Sequence, residues 1–146
     1  MTETDFHFSV MKWLHENGYR FFHEVELPDS RMRPDFLALA PDGTRHLFEC
    51  KVRRDHAKPH TVRKMLAYRD LLNDPKVKHS FVFPVGFTYP HGFAYCCELT
   101  RFEVMYVPFE AEPPTQYARF ALRHGGIARY FPSFSDTSKR QMTIHL

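Results

Sequence analysis

Apolar residues at helical and at strand spacing divide the first half of the chain into four segments. Residues 5–17 place Phe6, Val10 and Leu14 four positions apart, which predicts a helix that ends at Gly18. Three apolar runs follow, and the turn residues between them predict three antiparallel strands in a meander. These strands are expected at 19–27, 34–40 and 45–52.

The same pattern predicts a second helix and further strands. A polar loop leads to Thr61, which can cap a helix that continues through Asn73. Because this helix would be a crossover, we expect the next strand, 79–87, to lie parallel to an earlier one. Two later strands, or one strand and an edge, are predicted at 92–100 and 102–109, and a short helix at 115–126. The predicted fold class is therefore α/β (α+β), with a mixed central β-sheet flanked by helices.

Composition favours one globular domain and excludes other classes. The 146 residues are 43% hydrophobic and 25% charged, so we expect a single domain over 1–146, with its core at about 5–85 and a C-terminal elaboration at about 86–146. No apolar run approaches the roughly 20 residues of a membrane span, and the first ten residues lack signal-peptide features, so a cytoplasmic protein is expected. Cys50, Cys96 and Cys97 imply no disulfide framework, and the histidine spacings predict no structural zinc.

Positive charge is concentrated in the middle of the chain. The net charge is +3, but residues 41–80 carry ten Lys or Arg against five Asp or Glu, while residues 1–40 carry an acidic excess. The densest basic stretch is KVRRDHAKPHTVRK at 51–64. Such a run is often only a solvated surface, but this one adjoins a pair of carboxylates, which favours binding to the phosphates of nucleic acid.

Asp35, Glu49 and Lys51 have the chemistry of a metal-dependent hydrolase. In a strand, Glu49 and Lys51 project from one face while Cys50 points to the other. If the neighbouring strand presents Asp35 at the same end, two carboxylates and the backbone carbonyl of Cys50 can meet in one coordination sphere. Oxygen ligands of this kind suit Mg²⁺ or Mn²⁺. Lys51 could then position a metal-activated hydroxide and hold a scissile phosphate.

The motif RPDF at 33–36, followed by ECK at 49–51, resembles the PD-(D/E)XK nuclease superfamily, which includes small Holliday-junction resolvases and many restriction endonucleases. The resemblance covers the chain from the first helix to about residue 83. It implies a restriction-endonuclease-like core and phosphodiester hydrolysis assisted by a divalent metal. By position, it implies that Asp35 and Glu49 are metal ligands, that Cys50 lends its carbonyl, and that Lys51 is the catalytic lysine.

Many members of this superfamily supply a further carboxylate upstream, and the sequence leaves its identity open. Glu24 is preferred as a catalytic and metal-binding residue, because its strand should lie beside the strand of Asp35. Glu16, Glu26 and His7 remain alternatives. His7 is included because some metal-dependent members use a helix histidine as a ligand.

Nucleic-acid contacts are predicted from the basic stretch and the second helix. On that helix Lys64 and Tyr68 are four residues apart and share a face, where some relatives carry Gln and Tyr. Ordinary packing of Tyr68 is the alternative interpretation. The complete predicted set is Arg53, Arg54, Lys58, Arg63, Lys64 and Tyr68.

The sequence therefore predicts an endonuclease that uses Mg²⁺ or Mn²⁺ to hydrolyse phosphodiester bonds of DNA. The alternative is a catalytically silent or partner-dependent nucleic-acid-binding subunit of a recombination or transposition complex. The expected partner is nucleic acid, taken as DNA although no residue distinguishes DNA from RNA, and no membrane partner is expected. A homodimer or a partner protein is left open.

Overall fold

The computed structural model describes residues 2–24, 26–27 and 30–110. Within them the chain forms eight regular elements and a short 3₁₀ turn at Arg54–His56. The elements are α1 (Glu3–Glu16), β1 (Arg20–His23), β2 (Phe36–Leu39), β3 (Arg45–Cys50), α2 (Pro59–Leu72), β4 (Val77–Pro84), α3 (His91–Thr100) and β5 (Glu103–Val107). The helix predicted at 115–126 lies outside the described residues.

The five strands form one mixed sheet in the order β1-β2-β3-β4-β5. Strands β1, β2 and β3 pair antiparallel, as expected for a meander. Strand β4 pairs parallel with β3, and β5 pairs parallel with β4, because α2 and α3 are crossover helices. The predicted mixed sheet flanked by helices is confirmed. No helix in the described part of the chain is both long and apolar enough to cross a membrane.

Two apolar layers hold the helices against the sheet. Helix α1 packs on one face, where its buried side chains meet those of β1, β2 and β3. Helices α2 and α3 cover the other face. Side chains of the first layer include Phe6, Val10, Leu14, Phe36, Phe48 and Cys50, and those of the second include Leu37, Leu47, Met65, Tyr68, Phe81 and Phe93. The sheet therefore lies between two helical layers, and both can contribute side chains at its ends.

Helix α1 is fixed at both ends by local chemistry. The Thr2 hydroxyl accepts a hydrogen bond from the Asp5 amide at 3.1 Å, and the Asp5 carboxylate accepts one from the Thr2 amide at 3.3 Å. This capping box starts the helix two residues before the predicted start. Gly18 follows the helix with φ +77°, and a Cβ there would lie 3.0 Å from Pro41 Cγ. Glycine adopts this positive φ without strain and has no Cβ to crowd Pro41.

One predicted element type and two predicted boundaries were wrong for identifiable reasons. The segment 92–100 is a helix, since Phe93 and Cys97 are buried four residues apart on one face, whereas its aromatic composition suggested a strand. Strand β1 ends at His23, because Glu24 adopts a left-handed conformation with φ +54°. Helix α2 starts at Pro59, which is suited to the first turn.

Candidate active site

Asp35 and Glu49 meet where the start of β2 lies beside the end of β3. Asp35 directly precedes β2, and the register that pairs Phe36 with Phe48 places it opposite Glu49. The Asp35 amide donates to Glu49 Oε1 at 2.9 Å, and the Cys50 amide donates to Asp35 Oδ2 at 2.7 Å. Each carboxylate thus accepts a hydrogen bond from a backbone amide of the facing segment, and these bonds hold the two side chains close together.

Glu49 is buried and Asp35 is partly buried, and the two carboxylates lie close enough for the charge of one to affect the pKa of the other. Glu49 is 3% exposed, and its burial, together with the Asp35 charge, raises its pKa to about 8. Burial acts in the same direction on Asp35, but His7 and the Cys50 amide overcome it and hold the Asp35 pKa below its usual range. One acid is therefore ionised while the other binds its proton more tightly than usual.

His7 reaches this pair from helix α1. Its Nε2 atom lies 3.6 Å from Asp35 Oδ2 and 3.9 Å from Glu3 Oε1, and among the described residues it has no hydrogen-bond partner. Its Nδ1 atom lies 2.9 Å from Nε2 of His23. Burial disfavours the imidazolium, yet Asp35 and Glu3 raise the His7 pKa to about 10. His7 thus supplies positive charge to a buried carboxylate.

The structure places the three acidic candidates for the upstream ligand in different surroundings. The Glu24 carboxylate lies 3.8 Å from both His7 and His23, and its amide donates to the Asp35 carbonyl at 3.0 Å. Glu16 instead pairs with Lys12 at 3.6 Å, and Glu26 pairs with Arg33 at 3.0 Å. Glu24 is therefore joined to the Asp35 segment, whereas Glu16 and Glu26 are engaged in ion pairs of their own.

Helix α2 supplies the other side of the site. Lys64 Nζ lies 3.9 Å from Glu49 Oε2 and 5.7 Å from the centre of the Tyr68 ring. Tyr68 is fully buried, and its hydroxyl donates to the Arg33 carbonyl at 3.3 Å. Burial and the nearby carboxylates raise the Tyr68 pKa. Tyr68 therefore packs beneath the site, as in the alternative interpretation.

A basic cleft adjoins the carboxylates. It is a cavity of about 190 Å³ at the start of α2. Its lining includes Lys51, His56, Lys58, His60, Thr61 and Lys64. We call this the basic cleft. Three further predicted residues, Arg53, Arg54 and Arg63, are exposed on the neighbouring loop and helix, and Arg53 lies 3.4 Å from Asp55. The cleft brings Lys51, Lys58 and Lys64 together from three separate positions in the sequence.

Cys50 contributes its backbone and not its thiol to the site. The side chain is fully buried in the layer beneath α1, and burial, with Asp35 and Glu49 nearby, raises the pKa of the thiol well above its usual value. A protonated thiol is a poor metal ligand. Cys50 packs in the layer beneath α1, whereas Glu49 lies near Lys64 of α2. The two side chains therefore project from opposite faces of β3, as the strand period predicts.

The donor set fits a divalent cation. In the described part of the chain, two groups bring three ligand atoms within 4.8 Å of one another: His7, Asp35 and the Sγ atom of Cys50, and His7, His23 and Glu24; both lie beside Asp35 on the α1 side, and neither includes Glu49. The cationic atoms nearest to the Asp35 and Glu49 carboxylates lie at 3.6 and 3.9 Å, beyond hydrogen-bond distance. A cation bound between the carboxylates would neutralise their buried charge, which these distant partners do only in part.

Sequence reasoning missed two residues of this site. Glu3 precedes His7 by four residues on α1, and that spacing is a signal that could have been used. His23 contacts His7 across sixteen residues of sequence, and no local pattern indicates such a contact.

Comparison with known proteins identifies the fold. No model of a known protein family matches this sequence, and no curated protein matches it. Solved structures that do match include a repair endonuclease from Pyrococcus abyssi, with a TM-score of 0.53 and 22% identity over 73% of this chain and 46% of the other. Another is a complex of EndoMS with dsDNA, with a TM-score of 0.53 and 24% identity over 73% of this chain and 44% of the other. The chain spans less than half the length of either protein, and it has a nuclease-like fold.

Proposed function

We propose that this chain is a divalent-metal-dependent endonuclease of the PD-(D/E)XK type that hydrolyses phosphodiester bonds in DNA. The observation that carries the proposal is the placement of two carboxylates side by side next to Lys51: Glu49 accepts from the Asp35 amide at 2.9 Å, and Asp35 accepts from the Cys50 amide at 2.7 Å. Glu49 is buried beside the ionised Asp35, so loss of its proton raises the free energy of the folded protein unless a cation binds there. Such an arrangement is expected of a site selected for chemistry.

Each residue of the site has a distinct task in this proposal. Asp35, Glu49 and the Cys50 carbonyl would hold Mg²⁺ or Mn²⁺, with Glu24 or His7 as a further ligand. A bound cation of this kind lowers the pKa of water and offsets charge on a phosphate. Lys51 donates hydrogen bonds to the attacking oxygen or to the scissile phosphate, since an ammonium group is a donor only.

The basic cleft supports a polyanionic substrate. One of its lysines, Lys64, lies 3.9 Å from Glu49 on the α2 side of the sheet, so a phosphate backbone bound in the cleft would lie next to the carboxylates. Contacts of lysine with phosphate position nucleic acid without reading its bases. One of the structures with the same fold is a complex of EndoMS with dsDNA, so we propose DNA as the substrate.

A cleavage assay tests this function. Purified protein would be incubated with supercoiled plasmid, single-stranded DNA, RNA and a four-way junction, in Mg²⁺, Mn²⁺ or EDTA. We expect metal-dependent cutting of DNA that falls at least about a hundredfold in Lys51→Met, which removes a hydrogen-bond donor from the reacting groups. Lys76→Met is the matched control, because Lys76 is exposed in the turn before β4.

The outcomes separate the possible functions. Equal cutting by Lys51→Met and Lys76→Met would contradict the assigned role of Lys51. Cutting that continues in EDTA would contradict metal dependence. Binding of metal and DNA without cleavage of any substrate would contradict the nuclease and favour a silent or partner-dependent subunit.

A further inference from the structure

A second cavity lies away from the candidate active site. It has a volume of about 240 Å³ and is formed at the amino ends of β4 and β5, beneath the carboxyl ends of α2 and α3. Residues on its wall include Arg69, Asp74, Lys78, His79, Arg101 and Glu103. The carboxylates of the active site lie near the opposite, carboxyl end of β3. We call this the distal cavity.

His79 is the unusual residue of the distal cavity. It is 4% exposed, and neither ring nitrogen has a hydrogen-bond partner among the described residues. Burial and the charge of Arg69 lower its pKa to about 4, so the ring is neutral at pH 7. A neutral imidazole has one N–H donor and one acceptor, and leaving both unused in a buried position is costly. A ligand in the cavity would provide the missing partner.

Charge in the distal cavity favours an anion. The Asp74 carboxylate is held by Arg45 at 2.8 Å, and the Glu103 carboxylate lies 3.9 Å from Lys78. Arg69 and Arg101 have no carboxylate partner in the described part of the chain. The acidic groups on the wall therefore have cationic partners, while the two guanidinium groups have no carboxylate partner among the described residues.

The positions of Arg69 and Arg101 suit the binding of an anion. Arg69 donates through Nη1 to the Thr100 carbonyl at 2.8 Å, and its guanidinium lies 4.9 Å from the centre of the Phe102 ring. This fixes its orientation while leaving other N–H groups for a ligand. Arg101 follows α3 in a left-handed conformation with φ +63° and is exposed. One arginine is thus held in place, and the other is accessible at the end of a helix.

We propose that the distal cavity binds a phosphate group, with His79 and the guanidinium groups of Arg69 and Arg101 as its donors. Guanidinium groups match the geometry of phosphate oxygens, and a buried N–H donor adds a directed hydrogen bond. The volume is below the 300–1,000 Å³ of most drug-sized sites, which suits a single phosphoryl group or a small phosphoester. The phosphate belongs either to a free phosphoester or to a nucleic-acid backbone, and both have the same recognition chemistry.

Titration of the folded protein with three probes tests this proposal. The probes are inorganic phosphate, a nucleoside 5′-monophosphate and a short DNA duplex in EDTA. The readouts are the ¹⁵N resonances of the His79 ring and the dissociation constant from calorimetry. We expect the ring resonances to shift on binding, and His79→Phe and Arg101→Asn to weaken binding at least tenfold. Asn tolerates the left-handed conformation at position 101, so that variant keeps the fold.

Arg20→Asn is the control, since Arg20 is exposed on edge strand β1. Shifts with inorganic phosphate and the mononucleotide would indicate a site for free phosphoesters, whereas shifts with the duplex alone would indicate contact with the DNA backbone. Both results support a phosphate site. Unmoved His79 resonances with all three probes would overturn the proposal, as would equal binding by wild type, His79→Phe and Arg101→Asn. The nuclease proposal is unaffected by either result, because the two sites share no residue.

Discussion

Replacing Glu49 by Gln should stabilise the metal-free protein while abolishing its activity. Glu49 is buried, and its pKa is raised from 4.5 to about 8. Between these values the unfolded chain releases the proton while the folded protein retains it, so stability falls as pH rises through this range. Gln carries no charge, and its Oε1 can still accept the hydrogen bond from the Asp35 amide.

The size of the effect follows from the pKa change. At pH 8 and above, the raised pKa of Glu49 corresponds to at most about 5 kcal/mol of lost stability. Asp35, whose pKa is lowered, offsets part of this loss. We therefore expect Glu49→Gln to be more stable than wild type by about 2–4 kcal/mol at pH 8, with a difference near zero at pH 4.5.

Urea denaturation in EDTA from pH 4.5 to 8.5 measures this difference. Glu98→Gln is the matched control, because Glu98 is an exposed carboxylate on α3 and its substitution should change stability little. A constant difference between Glu49→Gln and wild type across the pH range would contradict this prediction, as would a variant less stable than wild type at pH 8. Either result would mean that ionisation of Glu49 does not destabilise the folded protein.

Three further predictions concern other parts of the chain. Because the His79 pKa is lowered from 6.5 to about 4, wild type should lose up to about 3 kcal/mol of stability as pH falls from 6.5 to 4, and denaturation of His79→Phe in phosphate-free buffer should show no such loss. Gly18→Ala should cost at least about 1 kcal/mol in urea denaturation, since it puts a Cβ on a left-handed residue 3.0 Å from Pro41; an unchanged midpoint would contradict this. Lys58→Gln and Lys64→Gln should each lower the slope of log K against log salt for DNA binding by about 1, and unchanged slopes in fluorescence anisotropy would exclude phosphate contacts.

The parts of the site that sequence could predict depend on local periodicity. Asp35 and Glu49 flank a short hairpin, so strand alternation and one turn are enough to bring them together. The position of His7 depends instead on how α1 packs across the sheet, which no local pattern specifies. The sequence therefore identifies His7 as one alternative for the upstream metal ligand, but it does not place His7 beside Asp35.

The errors in the predicted elements also have physical causes. Segment 92–100 contains aromatic and cysteine residues that favour strands, but burial of Phe93 and Cys97 on one face stabilises a helix in its place. Strand β1 is shorter than predicted because Glu24 adopts a left-handed conformation, which its residue type does not indicate. In both segments tertiary contacts override local preference.

Anomalous diffraction from crystals soaked in Mn²⁺ would show whether Asp35 and Glu49 form a metal centre. We expect one anomalous peak at about 2.2 Å from carboxylate oxygens of both residues and from the Cys50 carbonyl oxygen. A peak at His7, His23 and Glu24 alone would contradict a metal centre at Asp35 and Glu49. Carboxylates that keep their hydrogen bonds at 2.7 and 2.9 Å, with no ion between them at saturating Mn²⁺, would also contradict it.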